Sequence, residues 1–447
     1  MVIRGGLHIT HDPSIAQLLT FPNPFEPEEE FLGYSSDGKQ MVIPRNTLDT
    51  KPEACDVVSS KIKVKVDSSF QLRDYQEAPV ATMIDTLTGD HAECLLTAKP
   101  GSGKSFTLAF VIEAIKERTL ILAHLSMLTV QMAAELSANL KGDVVIIDGS
   151  NQELGDVNIC TFQYLHTNPE VLYMLSQNIG MVVVDEAENM LSETRMNVFY
   201  TLSPKYQLLM TATPSRDLIG RTPMIKYMVG DNVVCMESDQ HVARRHVMLD
   251  YRHLRFMAPT NKMMYKSALT RFFMRSQIPQ DTVRLIQELV KGHGCVWVIV
   301  DSLKLQDHIV GLLQLAGLGA EVIRGATSAK ERKRILKAVA DKECRVLLGS
   351  APLSAGISIP ELGYAFRLMP NSSSHELLIQ QEGRLGRQAP FKDHQNSLWF
   401  DYAIEGGLAY NGKKRFKFYK ELGDCTFGRV ETIQAKLKEL IDERPVN

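Results

Sequence analysis

From about residue 67 the chain alternates short, continuous apolar runs with longer stretches of helical period. In the first half the runs are Cys94 to Thr97, Leu120 to Leu122, Val144 to Ile147, Val157 to Cys160, Met181 to Val184 and Gln207 to Met210. A second series begins near residue 245: Val296 to Val300, Ala320 to Ile323, Arg345 to Leu348, Tyr364 to Leu368 and Leu398 to Tyr402. Runs apolar at successive positions suit strands of a parallel sheet covered on both faces by helices. The pattern predicts an α/β chain with two tandem parallel-sheet units, residues 67–245 and 246–447, joined by a hinge in 240–255. No sequence repeat relates the two halves, so their expected similarity is architectural.

Residues 1–66 read differently. Pro22, Pro24 and Pro27 lead into the acidic run Glu28 to Glu30 and the turn Ser35 to Gly38. Further on, Ile62, Val64 and Val66 alternate with Lys61, Lys63 and Lys65, the period of a half-exposed strand. A small β-containing N-terminal accessory domain is expected over 1–66. Its lysines face either a phosphate backbone or solvent. In the second half, Lys262 to Gln277 reads as a helix whose aromatics pack toward a core at the domain junction rather than against bases.

Composition narrows the class. The 447 residues are 44% hydrophobic and 23% charged, which predicts two or three globular domains. A net charge of -2 provides no global positive field, so any polyanion must be held by a local basic face or by loop amides. The seven cysteines form no C-x-x-C pair and no zinc spacing, and read as reduced thiols, mostly small core residues. There is no apolar signal segment and no run near the roughly 20 residues of a membrane span. A soluble, cytoplasmic chain without a membrane partner is the expectation, in the host cytoplasm if phage-encoded.

The chemistry concentrates at predicted strand ends. Lys99, Pro100, Gly101, Ser102, Gly103, Lys104 and Ser105 follow one strand and open a helix. Such a loop wraps closely enough to aim N–H groups at phosphate oxygens. Lys104 is expected on the β/γ phosphates of ATP and Ser105 on Mg²⁺. Met181 to Val184 ends in Asp185, Glu186, Ala187 and Glu188, which puts carboxylates at the sheet edge where α/β sheets bind ligands. Asp185 then joins Ser105 on the metal, and Glu186 orients and deprotonates the attacking water. Upstream, Arg73 and Gln76 are placed to read an adenine edge, the Gln amide being able to donate and accept. In the second half, Gln380 to Arg387 puts Arg384 and Arg387 three apart, able to neutralise charge on a transferring phosphoryl group. Thr211 and Thr213, after the Gln207 run, can relay movement through hydroxyl hydrogen bonds.

Other loops after predicted strands are rich in small donors. They hold Ser126 to Gln131, Thr161 to Gln163, Ser302, Arg324 with Gly325, Gly349 with Ser350, and the segment carrying Gly356 and Ser358. Small donors without base-reading side chains favour sequence-independent contact with a nucleic-acid backbone. The basic and aromatic segment Lys413 to Lys420 either grips phosphate or forms a solvated hairpin packed on the second unit.

Taken in order, these segments resemble the motifs of superfamily 2 helicases across about residues 71–390. Arg73 to Gln76 resembles the Q element, Lys99 to Ser105 motif I, Ser126 to Gln131 motif Ia and Thr161 to Gln163 motif Ic. Asp185 to Glu188 corresponds to the DExH/D box, Thr211 to Thr213 to motif III, and Val298 to Ser302 to motif IV. Gly349 to Pro360 matches motif V, and Gln380 to Arg387 matches motif VI. The resemblance implies two RecA-like domains. It assigns Lys104, Asp185, Glu186, Gln380, Arg384 and Arg387 to hydrolysis, and Gly356 and Ser358 to both nucleotide and strand. Glu188, Thr211 and Thr213 would couple hydrolysis to motion.

Two departures stand out, Glu188 where the family has His or Asp, and Ser358 where many RNA helicases have Asp. Leu19 to Phe25, Gly33 and Ile43 to Arg45 are similar to the accessory segment of UvsW-type phage branch-migration helicases, a group that would include the D10-type helicases of T5-like phages. That affinity implies a monomeric motor on forked or branched DNA, with replication or recombination proteins as partners. An RNA helicase or RNP remodeller, a motor subunit of a nuclease or restriction complex, and a non-hydrolysing binding protein are the alternatives.

Overall fold

The structure, a computed structural model, describes residues 2–22, 30–48, 54–89, 92–98, 101–212, 222–237, 243–292, 294–350, 362–369, 385, 396–423 and 425–442. It divides into two compact units, Met1–Ser238 and Asp239–Asn447.

The first unit is built on helix α1 (Asp74–Thr88), strand β1 (Glu93–Ala98), α2 (Lys104–Ile115), β2 (Thr119–Ala123), α3 (Ser126–Asn139), β3 (Val144–Ile146), β4 (Val157–Thr161), β5 (Met181–Asp185), β6 (Tyr206–Thr211) and β7 (Val233–Met236). The strands form one all-parallel sheet in the order β3-β4-β2-β5-β6-β1-β7. The second unit contains β8 (Ala243–Phe256), α4 (Lys262–Arg275), α5 (Ile278–Lys291), β9 (Cys295–Ile299), α6 (Leu303–Leu315), β10 (Glu321–Ile323), β11 (Val346–Gly349), β12 (Leu362–Arg367), β13 (Asn396–Gly406), α7 (Ala409–Leu422) and β14 (Cys425–Gly428). Its parallel sheet runs β10-β11-β9-β12-β13-β8-β14. Counted from the first strand of each unit, both sheets have the order 3-4-2-5-6-1-7. The two parallel-sheet units expected from the apolar runs are present, as are the tandem RecA-like domains that the resemblance implies, and each of the eleven runs overlaps a strand.

Burial explains why these runs are continuous. Along β5, Val182 and Val184 belong to one core and Met181 and Val183 to another, all fully buried, because successive strand residues point to opposite faces. On one face lie Val80 and Met83 of α1 and Leu108 and Ile112 of α2. The other face shares its core with Leu7, Phe21, Phe31, Met41 and Ile43 from the N-terminal segment.

That N-terminal segment has a mixed sheet of five short strands and a separate antiparallel pair of strands, as a β-containing module should. It is welded to the first sheet. The buried Arg45 pairs with Glu93 at 2.9 Å and donates to the carbonyls of Arg4, Pro204 and Lys205. Gln207 Nε2 donates to Gly5 O at 2.7 Å, and Tyr200 Oη to Gly33 O at 2.7 Å. A Cβ on Gly5 would stand 1.9 Å from the carbonyl oxygen of Leu202. Gly5→Ala is therefore expected to lower stability by about 1–3 kcal/mol, the usual cost of overpacking a closed contact. Chemical denaturation checks this, and an unchanged midpoint would mean that the contact yields freely.

Three expectations change. Of the range given to the hinge, 240–255, Ala243 onward is strand β8 of the second sheet, and 240–242 lie outside the described residues. Only Lys65 and Val66 of the lysine-alternating segment are paired as a strand, although burial follows the expected alternation, with Ile62 and Val64 buried. Lys61 there is tied to Glu117 at 2.7 Å. Finally, Lys413 to Lys420 lies within the helix α7 and is no hairpin: Arg415 is fully buried against Asp401, and Phe418 and Tyr419 are buried too. The helix α4 does face the core through Leu269 and Phe273, while Met263 and Met264 are exposed.

Candidate functional site

The phosphate-loop segment connects β1 to α2. Gly101 and Gly103 have φ of +84° and +89°, a left-handed conformation open to glycine at little cost. A Cβ on Gly103 would lie 2.5 Å from Gln76 Nε2. The loop thus turns tightly into the N-terminus of α2, where Lys104 and Ser105 are the first two residues. Free N–H groups at a helix start and the aligned peptide dipoles favour an anion there.

Gln76 supports this loop from beneath. Its Oε1 accepts from the N–H of Arg73 at 3.0 Å, and its Nε2 donates to Ser102 O at 2.9 Å. Tyr75 Oη donates to the same carbonyl at 3.0 Å. Gln76 is 2% exposed, so its amide is engaged on the loop rather than displayed for a base. Arg73 is exposed, its guanidinium 3.3 Å from Tyr75 Oη.

Sheet order brings the carboxylates to the same edge. The strand β6 lies between β1 and β5, so Thr211 at its end is in register with Thr97 on one side, and Met210 with Asp185 on the other. Thr211 Oγ1 donates to Glu188 Oε2 at 2.6 Å. Burial pushes the Glu188 carboxyl above its ordinary range and the Asp185 charge adds to this, against the Thr211 hydrogen bond and the Lys104 charge. A glutamate at this position therefore still reaches the threonine expected to couple to it.

Glu186 has φ 54° and ψ 61°, which breaks the strand alternation directly after Asp185. Its Oε2 accepts from Asn189 Nδ2 at 3.1 Å and lies 3.0 Å from His124 Nδ1. Burial, reinforced by the Arg195 charge, lowers the His124 pKa, which favours the neutral ring near pH 7. Reading motifs in sequence order missed both His124 and Asn189. The usable signal for His124 was its position one residue beyond β2, the strand paired with β5.

The loop and carboxylates fit a nucleoside triphosphate with Mg²⁺. Ser102 Oγ is buried with no protein partner among the described residues, as an atom awaiting a phosphate would be. Magnesium held through nucleotide phosphates needs only one or two protein oxygens, which Ser105 and Asp185 can supply. Among the described residues, no cluster of three or more His, Cys, Asp or Glu side chains could hold a metal by itself.

Candidate strand contacts divide. In the first unit, Ser126 opens α3 and is exposed, and Thr161 ends β4 beside the end of β2, where it caps the next helix by accepting from Tyr164 N at 3.1 Å. Gln163 is exposed, whereas Gln131 is bonded to Glu135 at 2.6 Å. In the second unit, Arg324, Gly325 and Ser350 line a cleft of about 400 Å³ with Lys266, Asp301 and Gln306. Arg324 reaches Gln306 Oε1 and Asp307. Ser302 departs from its expected role: it is 7% exposed, caps α6 and bonds Thr270 at 3.0 Å. Gly349 is buried in β11, its carbonyl accepting from Val300 N. Pro100, Thr213, Gly356, Ser358, Gln380, Arg384 and Arg387 lie outside the described residues.

Comparison with known proteins agrees with this layout. Residues 69–216 match the family model of the type III restriction enzyme res subunit, and residues 281–389 match the helicase conserved C-terminal domain. The chain is 22% identical over 416 residues to the DNA 3'-5' translocase XPB2 of Sulfurisphaera tokodaii, covering 84% of this chain and 89% of that protein. It is 23% identical over 354 residues to the DNA 3'-5' helicase XPB of Kineococcus radiotolerans, covering 75% and 60%. Among solved structures, S. cerevisiae Dbp5 bound to RNA and ADP BeF3 superposes with a TM-score of 0.58 at 14% identity, over 83% of this chain and 94% of that one. That last likeness is one of fold. Among the described residues no helix is long and apolar enough to cross a membrane.

Proposed function

The chain belongs to the superfamily 2 helicases as an ATP-dependent DNA helicase, and on that basis we propose that it remodels forked or branched DNA, by unwinding or branch migration, in replication, recombination or repair. It works as a cytoplasmic monomer. The observation that carries the reading is a repeated edge: two sheets of identical strand order hold, at their C-terminal ends, a phosphate loop with paired carboxylates in one unit and a polar, cation-bearing cleft in the other. The branched substrate is proposed from the resemblance read in the sequence of Leu19 to Phe25, Gly33 and Ile43 to Arg45 to the UvsW-type accessory segment.

In this reading Lys104 contacts the β/γ phosphates, and Ser105 and Asp185 would hold Mg²⁺, which would neutralise phosphate charge. Gln76 and Tyr75 act through Ser102, holding the loop in shape. Glu186, held by the Asn189 hydrogen bond, accepts the proton of the attacking water. Gln380, Arg384 and Arg387 of the second unit stabilise charge on the transferring group. Glu188 and Thr211, continuing to Thr213, pass the state of the site to the strand β6. The strand track uses Ser126, Thr161 and Gln163 in the first unit and Arg324, Gly325 and Ser350 in the second, with Gly356 and Ser358 touching both ligands.

Steady-state ATP hydrolysis at one salt concentration tests this, with no polymer, single-stranded DNA, duplex, forked DNA, four-way DNA and matched RNA, and Lys104→Ala as blank. Branched DNA is expected to stimulate most, and the stimulation to vanish in the variant. Stronger stimulation by RNA would overturn the substrate assignment.

A further inference from the structure

The helix α4 carries Lys262, Lys266, Arg271 and Arg275 and not one acidic residue. Like charges at Arg271 and Arg275 repel at i,i+4 spacing. The arrangement weakens the helix in isolation, and in a chain of net charge -2 it concentrates positive charge locally.

Two clefts draw on this helix. Lys266 lines the one shared with Arg324. Arg271 and Arg275 line another, of about 450 Å³, together with Arg255, Met257 and Phe272. Among the described residues no carboxylate lines this second cleft. Among the described residues none of its three arginines is in an ion pair, whereas Arg252, Arg284 and Arg334 of the same unit are paired with Asp250, Asp281 and Glu321. Arg255 reaches the cleft through an irregularity in β8: the register against β13 jumps from Tyr251 to Arg255 while β13 advances by one residue, from Ile404 to Glu405. Such bulges re-aim side chains. The floor is apolar and aromatic, with Met257 74% exposed beside Phe272.

We propose that the Arg255, Arg271 and Arg275 cleft is a second binding site for the sugar-phosphate backbone of a nucleic acid, separate from the Lys266 and Arg324 cleft. Guanidinium forks match phosphate oxygens in pairs, and an aromatic or thioether floor accepts a sugar or base face. A polyanion relieves the like-charge repulsion that the helix otherwise bears. The inference rests on the nucleic-acid reading above and adds a contact that the helicase motifs do not contain.

The test uses the full chain and fluorescent single-stranded, duplex and forked DNA, with affinity measured across a salt series. R271Q/R275Q is expected to weaken binding by about tenfold and to flatten the slope of log affinity against log salt by about 2, one for each phosphate no longer neutralised. R271K/R275K should retain most of the slope, and both variants should melt as the wild type does. Weakening confined to the single-stranded probe assigns the cleft to a single strand, and weakening confined to duplex-bearing probes assigns it to a duplex arm; either supports the site.

An unchanged slope in R271Q/R275Q, with K266Q/R324Q weakened, would overturn this site and leave the helicase reading intact. Loss of binding to poly-L-glutamate with DNA affinity unchanged would reassign the cleft to an acidic protein segment, which also overturns it. A wild-type chain that binds no DNA would sink the DNA reading and this site with it.

Discussion

Glu186→Gln is expected to slow DNA-stimulated ATP hydrolysis by about 10²–10⁴-fold, the usual contribution of a positioned general base, while leaving nucleotide affinity within a fewfold of wild type. The substitution is nearly isosteric. A Gln side-chain oxygen can still accept from Asn189 Nδ2 and lie beside His124, so the left-handed turn at φ 54° and the side-chain direction should persist. What disappears is basicity toward water. The phosphate loop, braced by Gln76 and Tyr75 through Ser102 O, is untouched. Single-turnover hydrolysis alongside fluorescent-nucleotide binding separates the two effects. A rate within tenfold of wild type would remove Glu186 from the role of base.

The second large effect concerns stability. Arg415 and Asp401 are both fully buried and joined at 2.7 Å, with Tyr419 Oη donating to the same carboxylate at 2.8 Å and Tyr402 N at 2.7 Å to the other oxygen. Burial alone would raise the Asp401 pKa, but the Arg415 and Arg367 charges and the hydrogen bonds from Arg415 and Tyr402 N hold it below its ordinary value. Arg415→Met leaves a buried carboxylate short of its main partner and is expected to cost about 3–5 kcal/mol.

The pH dependence should change sign. In the wild type the depressed carboxyl contributes stability above the unfolded Asp pKa, lost as pH falls through the folded value. In Arg415→Met burial is opposed only by Arg367 and the remaining hydrogen bonds, the carboxyl moves upward, and its ionisation destabilises the fold as pH rises. Denaturant melts at pH 4.5 and 7 should therefore show the larger deficit at pH 7. Adding Asp401→Leu to Arg415→Met should recover most of the loss, since a buried ion pair can often be exchanged for apolar packing at little net cost. Equal deficits at both pH values would mean that the pair is not the source of the effect.

This pair also accounts for one misreading of the sequence. Lys413 to Lys420 has the look of a phosphate-gripping segment, yet its central arginine is a core residue of the helix α7. Alternation of charge and aromatics says which residues are present, and only packing decides which of them meet water.

The sequence by itself determined the architecture and the nucleotide loop. Strands buried on both faces must be apolar at successive positions, so all eleven runs declared themselves locally, and with them the two parallel sheets. The glycines of the phosphate loop and the carboxylates after Met181 to Val184 were likewise legible, because a tight turn and a strand-end charge are properties of a few adjacent residues. Tertiary structure alone decided what depends on distant partners. Gln76 reaches Ser102 and supports the loop instead of facing outward. Ser302 is absorbed by Thr270 and its own helix. His124 meets Glu186 only because β2 and β5 are neighbours in the sheet. Arg45 finds Glu93 across 48 positions, which makes the N-terminal module part of the first unit's core. Hydrogen bonds and ion pairs act over about 3 Å. Spacing along a chain cannot reveal which remote groups the fold will bring that close.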